Sequence, residues 1–390
     1  MTTESEGWEM EHWLFTKEHE QFRTAVRRWV EKEIAPRVEE WEREGRVPRE
    51  MYRRAGELGY LGLKFPEAYG GSDDLLADAI FVEEIARCGS GGAAAALTAT
   101  TGIGATPIWR FGNEEQKRRY LVPAIRGEKI AALGVTEPDA GSDVASMRTV
   151  ARREGDHYVL TGSKMFITGG ASADYVCVAA KTDPSAGHRG VSMFIVEAGM
   201  PGFSVGRTLR KLGWRASDTA ELILDGVQVP AENLVGEENQ GFRYIMINFQ
   251  WERIMLALSS VAAAEKALED ALRYSRERTQ FGRPIGTFQA LRHKMVDMAV
   301  DIEKARSLTY RALYLYARGE DVTVAASMAK AYAGEMVNRV TDAALQIHGG
   351  NGYMMEYPVQ RYWRDARIMS IGGGTTQIMY EILTKRLGIV

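Results

Sequence analysis

Cysteine is almost absent. Cys88 and Cys177 are the only two in 390 residues. They lie far apart and without metal-site spacing, so two free thiols in a reducing cytoplasm are expected, with no metal. An excess of charge is missing too: 49 Lys and Arg against 52 Asp and Glu leave a net −3, which gives no reason to expect a nucleic-acid partner. No apolar run approaches the ~18–20 residues of a membrane span. The N-terminal MTTESEGWEMEHW is acidic and has neither an apolar core nor an Arg-rich amphipathic pattern. No targeting segment is therefore read there, and a soluble, cytoplasmic protein is expected. What is present is globular: 45% hydrophobic and 26% charged residues, in a chain long enough for two or three packed domains.

Hydrophobic periodicity divides the chain in three. From Thr16 a helical pattern places Phe22, Val26, Trp29, Val30 and Ile34 three or four residues apart, with Pro36 expected to break or kink it. A second helix starts at Pro48 and ends at Gly59, residues 65–74 read as a loop, and Leu75–Cys88 as a third helix. The small, apolar run 91–112 reads as one buried helix; its TGIGAT is not a dinucleotide fingerprint, because no strand precedes it. Short alternating runs between Gly, Pro, Asp and Ser clusters then indicate an antiparallel β domain. Helical periodicity returns over Phe242–Thr279, Thr287–Arg318, Val322–Gln346 and Gln377–Leu387, the makings of a bundle. The division is residues 1–130 helical, 131–238 β and 239–390 helical bundle.

The stretch Leu133–Gly170 centres this organisation. TEPDAGSD (136–143) is turn-rich, and the alternating runs His157–Thr161 and Lys164–Thr168 flank Gly162–Ser163, which is read as the turn between them. Small hydroxyls at Thr136, Ser142 and Thr168 suit a flat polar heterocycle, with Phe166 against its apolar edge. A hairpin with a polar turn accounts for the residues equally well. Taken together, TEPDAGSD and KMFITGG (164–170) resemble the flavin-site wall of the acyl-CoA dehydrogenase family, and the resemblance extends over nearly the whole chain. It implies an α+β fold of N-terminal helical domain, middle antiparallel β domain and C-terminal four-helix bundle. It also implies an FAD cofactor, an acyl-CoA substrate, a homotetramer built as a dimer of dimers, and an electron-transfer flavoprotein as electron acceptor.

Three further segments carry the likeness. RTQFGRPIGTFQ (278–289) could be a solvated basic turn, and QIHGGNGY (346–353) a helix C-cap with a turn. By resemblance, Arg278, Gln280, Phe281 and Gln289 contact the FAD of a neighbouring subunit, and Gln346, Gly349 and Gly350 line its adenosine-diphosphate half. Leu133, Val135, Thr136, Ser142, Phe166, Thr168, Thr375 and Gln377 match further cofactor positions; Ser142, Arg253 and Gly374 match substrate positions. His348 reads as a local hydrogen-bonding residue. RDARIMSIGGGTTQIM (364–379) departs from the commonest pattern, since Gly373 stands where many members carry the glutamate that removes the substrate α-proton.

A glycine cannot accept a proton, so the base must come from elsewhere or activity is lost. Glu252 and Arg253 form the only charged pair in the apolar-rich Ile245–Ser260, where desolvation would raise a carboxylate's pKa and make it a better base. Periodicity alone also allows an ion-paired glutamate on a solvated face. The long-chain and isovaleryl members share both departures, a small residue at the usual base position and a glutamate at this point of the same helix. The resemblance therefore assigns catalysis to Glu252, with the Gly373 N–H as donor to the thioester oxygen. The alternatives are a flavoenzyme on the same scaffold using a carrier-protein-bound or non-thioester substrate, and a non-catalytic flavin-binding subunit.

Overall fold

The computed structural model describes residues 13–389. Residues 1–12, which hold most of the acidic stretch read above as lacking a targeting segment, lie outside the described residues. Helix α1 (Lys17–Trp29) begins at Thr16, whose hydroxyl accepts the His19 N–H while the His19 ring bonds back to the Thr16 N–H. Pro36 does not stop the chain direction. A π-turn (Val30–Ile34) and a 3₁₀ turn (Ala35–Arg37) absorb its missing N–H, and α2 (Val38–Glu44) continues beyond. α3 (Arg49–Glu57) and α4 (Leu75–Ala86, capped by Asp74) follow as expected. The single helix expected over 91–112 is two, α5 (Gly91–Ala99) and α6 (Thr106–Phe111), joined by a π-turn at Thr100–Gly104. Short α7 (Glu114–Gln116) and α8 (Val122–Ile125) complete this part.

Seven strands form one sheet: β1 (Ala131–Gly134), β2 (Val150–Glu154), β3 (His157–Thr168), β4 (Tyr175–Lys181), β5 (Val191–Glu197), β6 (Phe203–Thr208) and β7 (Thr219–Pro230). The order is β1-β4-β2-β3-β7-β6, with β5 also on β4. The sheet is mainly antiparallel, but β1 runs parallel to β4, and β2 meets β4 in the same sense through one pair. The turn expected at Gly162–Ser163 does not exist. β3 runs through it as one strand, with a register shift against β7 between Leu160 and Gly162. A Cβ on Gly162 would lie 2.7 Å from the Thr149 Cα, so the glycine is required by close approach and not by a turn.

α9 (Gly241–Glu277) is followed by a small hairpin of β8 (Thr279–Gln280) and β9 (Arg283–Pro284). Then come α10 (Gln289–Ala317), α11 (Thr323–His348), α12 (Val359–Ala366) and α13 (Thr376–Arg386). α12 is an addition to the helices expected from periodicity. α4 contributes Ala79 and Val82 to the core of α9, α10 and α11, so the N-terminal helices and the bundle are not separate bodies. One polar clasp ties all three parts. Asp365 on α12 accepts the N–H of Gly91 (2.8 Å) and of Trp214 (2.7 Å). Beside it, Glu42 on α2 accepts the Ser90 hydroxyl (2.9 Å) and the Ala216 N–H (3.1 Å), and pairs with Arg364. No helix among the described residues is long and apolar enough to cross a membrane.

Candidate active site

A continuous cavity of about 1030 Å³ opens where the C-terminal end of β1, the TEPDAGSD loop and the end of β3 face α5, α9 and the 364–375 segment. It exceeds the ~300–1,000 Å³ of a typical small-molecule pocket. Of the residues singled out from sequence, Leu133, Val135, Thr136, Ser142, Phe166, Thr168, Glu252, Arg253, Gly373, Gly374 and Thr375 line it. The rest do not. Arg278, Gln280, Phe281 and Gln289 lie exposed beyond the end of α9, and Gln346, Gly349 and Gly350 lie exposed at the end of α11. Gln377 is exposed on the first turn of α13. His348 is buried, with Nδ1 2.8 Å from the Ala344 carbonyl oxygen.

The two wall motifs are joined by a buried ion pair that sequence reading passed over. Lys164 Nζ donates to Glu137 Oε1 (2.7 Å) and to the Val135 carbonyl (3.2 Å). Glu137 also accepts the N–H groups of Arg148 (2.5 Å) and Thr149 (3.0 Å). Burial pushes the Lys164 ammonium down to about 8. Burial acts to raise the Glu137 carboxyl, yet the Lys164 charge and the Arg148 N–H outweigh it and hold the group below its usual range. The Met165 N–H donates to the Thr136 carbonyl at 2.8 Å, so loop and strand are locked edge to edge. Immediately beyond, a second bulge carries Phe166 at φ +61°, a strained conformation for an aromatic residue, with its ring 65% exposed at the cavity. The signal in the sequence was a Glu inside one motif and a Lys inside the other, two opposite charges in segments expected to pack together.

On the opposite side α9 delivers Glu252. Gly373 and Gly374 have φ of +65° and +99° and form a turn that a side chain would strain. A Cβ built on Gly373 would sit 3.5 Å from Glu252 Oε1 and 2.6 Å from Leu256 Cδ1. The carboxylate carried by α9 therefore reaches the space beside the turn, while a side chain on residue 373 would have to displace the Leu256 methyl and adopt a strained φ. Glu252 Oε2 is buried and has no hydrogen-bond partner. Burial raises this carboxyl to about 7, against the opposing pull of the Arg253 and Lys330 charges. The turn is held from behind: Arg253 Nε donates to the Gly373 carbonyl (3.4 Å), and Lys330 Nζ donates to that of Gly374. The Gly373 N–H makes no backbone hydrogen bond among the described residues.

Lys330 was not singled out in the sequence, although a lone lysine between Ala329, Ala331 and Ala333 on the buried side of α11 is the mark of a paired internal charge. Burial and the neighbouring Arg253 bring its ammonium down to about 8. Replacing it with Met removes a positive charge facing Glu252. The expected result is a Glu252 titration displaced to higher pH. The rate at neutral pH should fall roughly three- to tenfold and recover at alkaline pH. A pH–rate profile that keeps its midpoint in Lys330→Met would contradict this.

Comparison with known proteins agrees with this geometry. Three family models match in order: the acyl-CoA dehydrogenase N-terminal domain over residues 16–128, the middle domain over 132–227 and the C-terminal domain over 239–388. A short-chain-specific acyl-CoA dehydrogenase of Clostridium acetobutylicum is 43% identical over 374 residues, covering 95% of this chain and 98% of that protein. The long-chain-specific mitochondrial enzyme of Sus scrofa is 39% identical over 377 residues, covering 96% and 87%. The solved structure of butyryl-CoA dehydrogenase from Megasphaera elsdenii matches with a TM-score of 0.92 at 42% identity, covering 96% of this chain and 98% of that one. The three family matches and these relatives define the class, flavoprotein oxidoreductases acting on CH–CH groups. The chain belongs to the acyl-CoA dehydrogenase family, whose cofactor is FAD and whose reaction is dehydrogenation of acyl-CoA. The donor set fits that cofactor: hydroxyls of Thr136, Ser142 and Thr168 and an exposed aromatic ring stand on one wall, with an unpaired buried carboxylate across from them.

Proposed function

We propose that Glu252 is the base that removes the α-proton of an acyl-CoA thioester in its conversion to the trans-2-enoyl-CoA. One observation carries this: a buried, unpartnered carboxylate stands 3.5 Å from where a side chain on Gly373 would begin. The chemistry that bound FAD would supply is acceptance of the hydride from the β-carbon. Leu133, Val135, Thr136, Ser142, Phe166, Thr168 and Thr375 would hold its cavity portion, with Gln377 at the edge. The Gly373 N–H would donate to the thioester oxygen, where charge develops as the α-proton leaves; one such donor is worth about 3 kcal/mol. Arg253 would hold the turn that presents it, and Ser142 and Gly374 would touch the substrate. The exposed set, Arg278, Gln280, Phe281, Gln289, Gln346, Gly349 and Gly350, would serve the cofactor of a neighbouring subunit. That reading goes with a homotetramer, with an electron-transfer flavoprotein as acceptor, with a cytoplasmic location, and with domains spanning 1–130, 131–238 and 239–390.

Anaerobic mixing of the FAD-loaded protein with acyl-CoA tests the reading. Flavin absorbance should bleach, and because Glu252 acts only when ionised, the rate constant should rise through about pH 7 and level off above it. The same group makes an opposite contribution to folding. Its carboxyl keeps a proton up to about 7 when folded, whereas an unperturbed glutamate releases it near 4.5, so its contribution to stability falls as pH rises across that window. A bleaching rate that is flat, or that declines, between about pH 6 and 8 would remove Glu252 from the role.

A further inference from the structure

Beyond Glu252 the cavity continues as a channel between α5 and α9. Gly91, Ala95, Ala99 and Ile103 recur every four residues on the α5 side, and Ser259, Ala263 and Lys266 follow Glu252 along one stripe of α9. The two stripes run antiparallel. A Cβ on Gly102 would meet Met255 Sδ at 2.8 Å near the base, while Arg87, ahead of α5, pairs with Glu265 near the other end. On the α5 side, the wall between Ile103 and Gly91 is built of small side chains, Ala94, Ala95, Thr98 and Ala99, so no bulky group of this helix crosses the channel. Its far end is polar: Lys266 and Tyr362 both line the cavity and both bond Asp270, at 2.9 and 2.7 Å.

We propose that this channel selects linear acyl-CoA thioesters of about ten to fourteen carbons, since Glu252 and Ala263 are separated by ~16 Å along the α9 axis and an extended alkyl chain advances ~1.3 Å per methylene. The inference rests on the assignment of Glu252 as base, which fixes where the α-carbon sits. The apolar walls gain with each methylene buried, and the Lys266–Asp270–Tyr362 set ends the gain, because a longer tail would have to displace paired polar groups. Ala95 and Ala263 are thereby specificity-determining positions.

Two readouts on the FAD-loaded protein test this. Calorimetric binding of trans-2-enoyl-CoA products, from butenoyl to octadecenoyl, needs no turnover; affinity should rise about 100-fold or more from butenoyl to dodecenoyl and stop rising beyond tetradecenoyl. In parallel, kcat/KM for saturated acyl-CoAs should peak between decanoyl and tetradecanoyl. Ala95→Leu and Ala263→Leu each project into the channel, so they should lower kcat/KM for dodecanoyl-CoA about tenfold or more while hexanoyl-CoA stays within about twofold and flavin content is unchanged. A wild-type preference for butyryl-CoA in both readouts overturns the proposal, and so does an equal loss at all chain lengths in flavin-replete variants. Failure of the base assignment looks different: turnover survives Glu252→Gln while the order of product affinities stays the same.

Discussion

Glu252→Gln should reduce the rate constant for flavin bleaching by acyl-CoA about 1,000- to 10,000-fold, the upper part of the range for loss of a general base. The amide keeps the shape of the carboxyl and cannot take a proton at any accessible pH. The turn beside it offers no second base, because residues 372, 373 and 374 are all glycine. Fold and flavin content should be retained, since the substitution removes a carboxyl whose ionised form burial disfavours. Anaerobic stopped-flow at several pH values, with flavin content as control, measures the effect; a loss below about tenfold would exclude Glu252 as the base. Restoring a glutamate at position 373 should not recover the activity of the single variant. The turn has φ +65°, and Leu256 Cδ1 lies 2.6 Å from where the new Cβ would be.

Lys164→Met should destabilise the protein by about 3–5 kcal/mol and release the flavin, the usual consequence of stranding one charge of a buried pair. Lys164 is fully buried and Glu137 nearly so. Without the ammonium, Glu137 must protonate or drag the TEPDAGSD loop towards water, and the loop carries Thr136 and Ser142 with it. A Lys164→Met/Glu137→Gln double variant should recover part of the loss, because no unpaired charge remains. Urea unfolding followed by flavin fluorescence distinguishes the cases, and a single-variant loss under about 1 kcal/mol would show that the pair does not organise the wall. The Arg148–Asp139 pair in the same loop is a control, being largely exposed on both sides. Breaking it should cost at most about 1 kcal/mol.

The long helices were legible because α9, α10 and α11 bury stripes that recur at helical spacing, and the strands because β3 and β7 largely alternate while β4 and β5 are short apolar runs between turn residues. Local cues misled where tertiary contact set the backbone. Gly162–Ser163 has turn chemistry, but the glycine answers Thr149 across the sheet. The run 91–112 has a helical composition, yet a π-turn at Thr100–Gly104 divides it. The corner proposed for catalysis was half legible. A glutamate in an apolar stretch of α9 could be read as a base, whereas the lysine that holds the turn from behind sits 78 residues away in a different helix, and no spacing relates the two. Glu137 and Lys164 lay inside the motifs already quoted, and their role appears only when their burial is known. The residues of the 278–289 and 346–350 segments were given a cofactor role by resemblance alone, and in a single chain they are exposed.

The clasp at Asp365 and Glu42 has a consequence for how the molecule comes apart. Its acceptors bind backbone N–H groups from the start of α5 and from the loop before β7, while its guanidinium comes from α12. Separating the N-terminal helices from α12 strands the charges of Glu42 and Arg364, and opening the β layer takes one N–H donor from each carboxylate. Opening of the β layer is therefore expected to weaken the hold on the N-terminal helices, which hydrogen exchange at Gly91 and Ala216 would read. A substitution that breaks the Trp214 N–H bond to Asp365 should therefore loosen a wall of the cavity, which Trp214 itself lines.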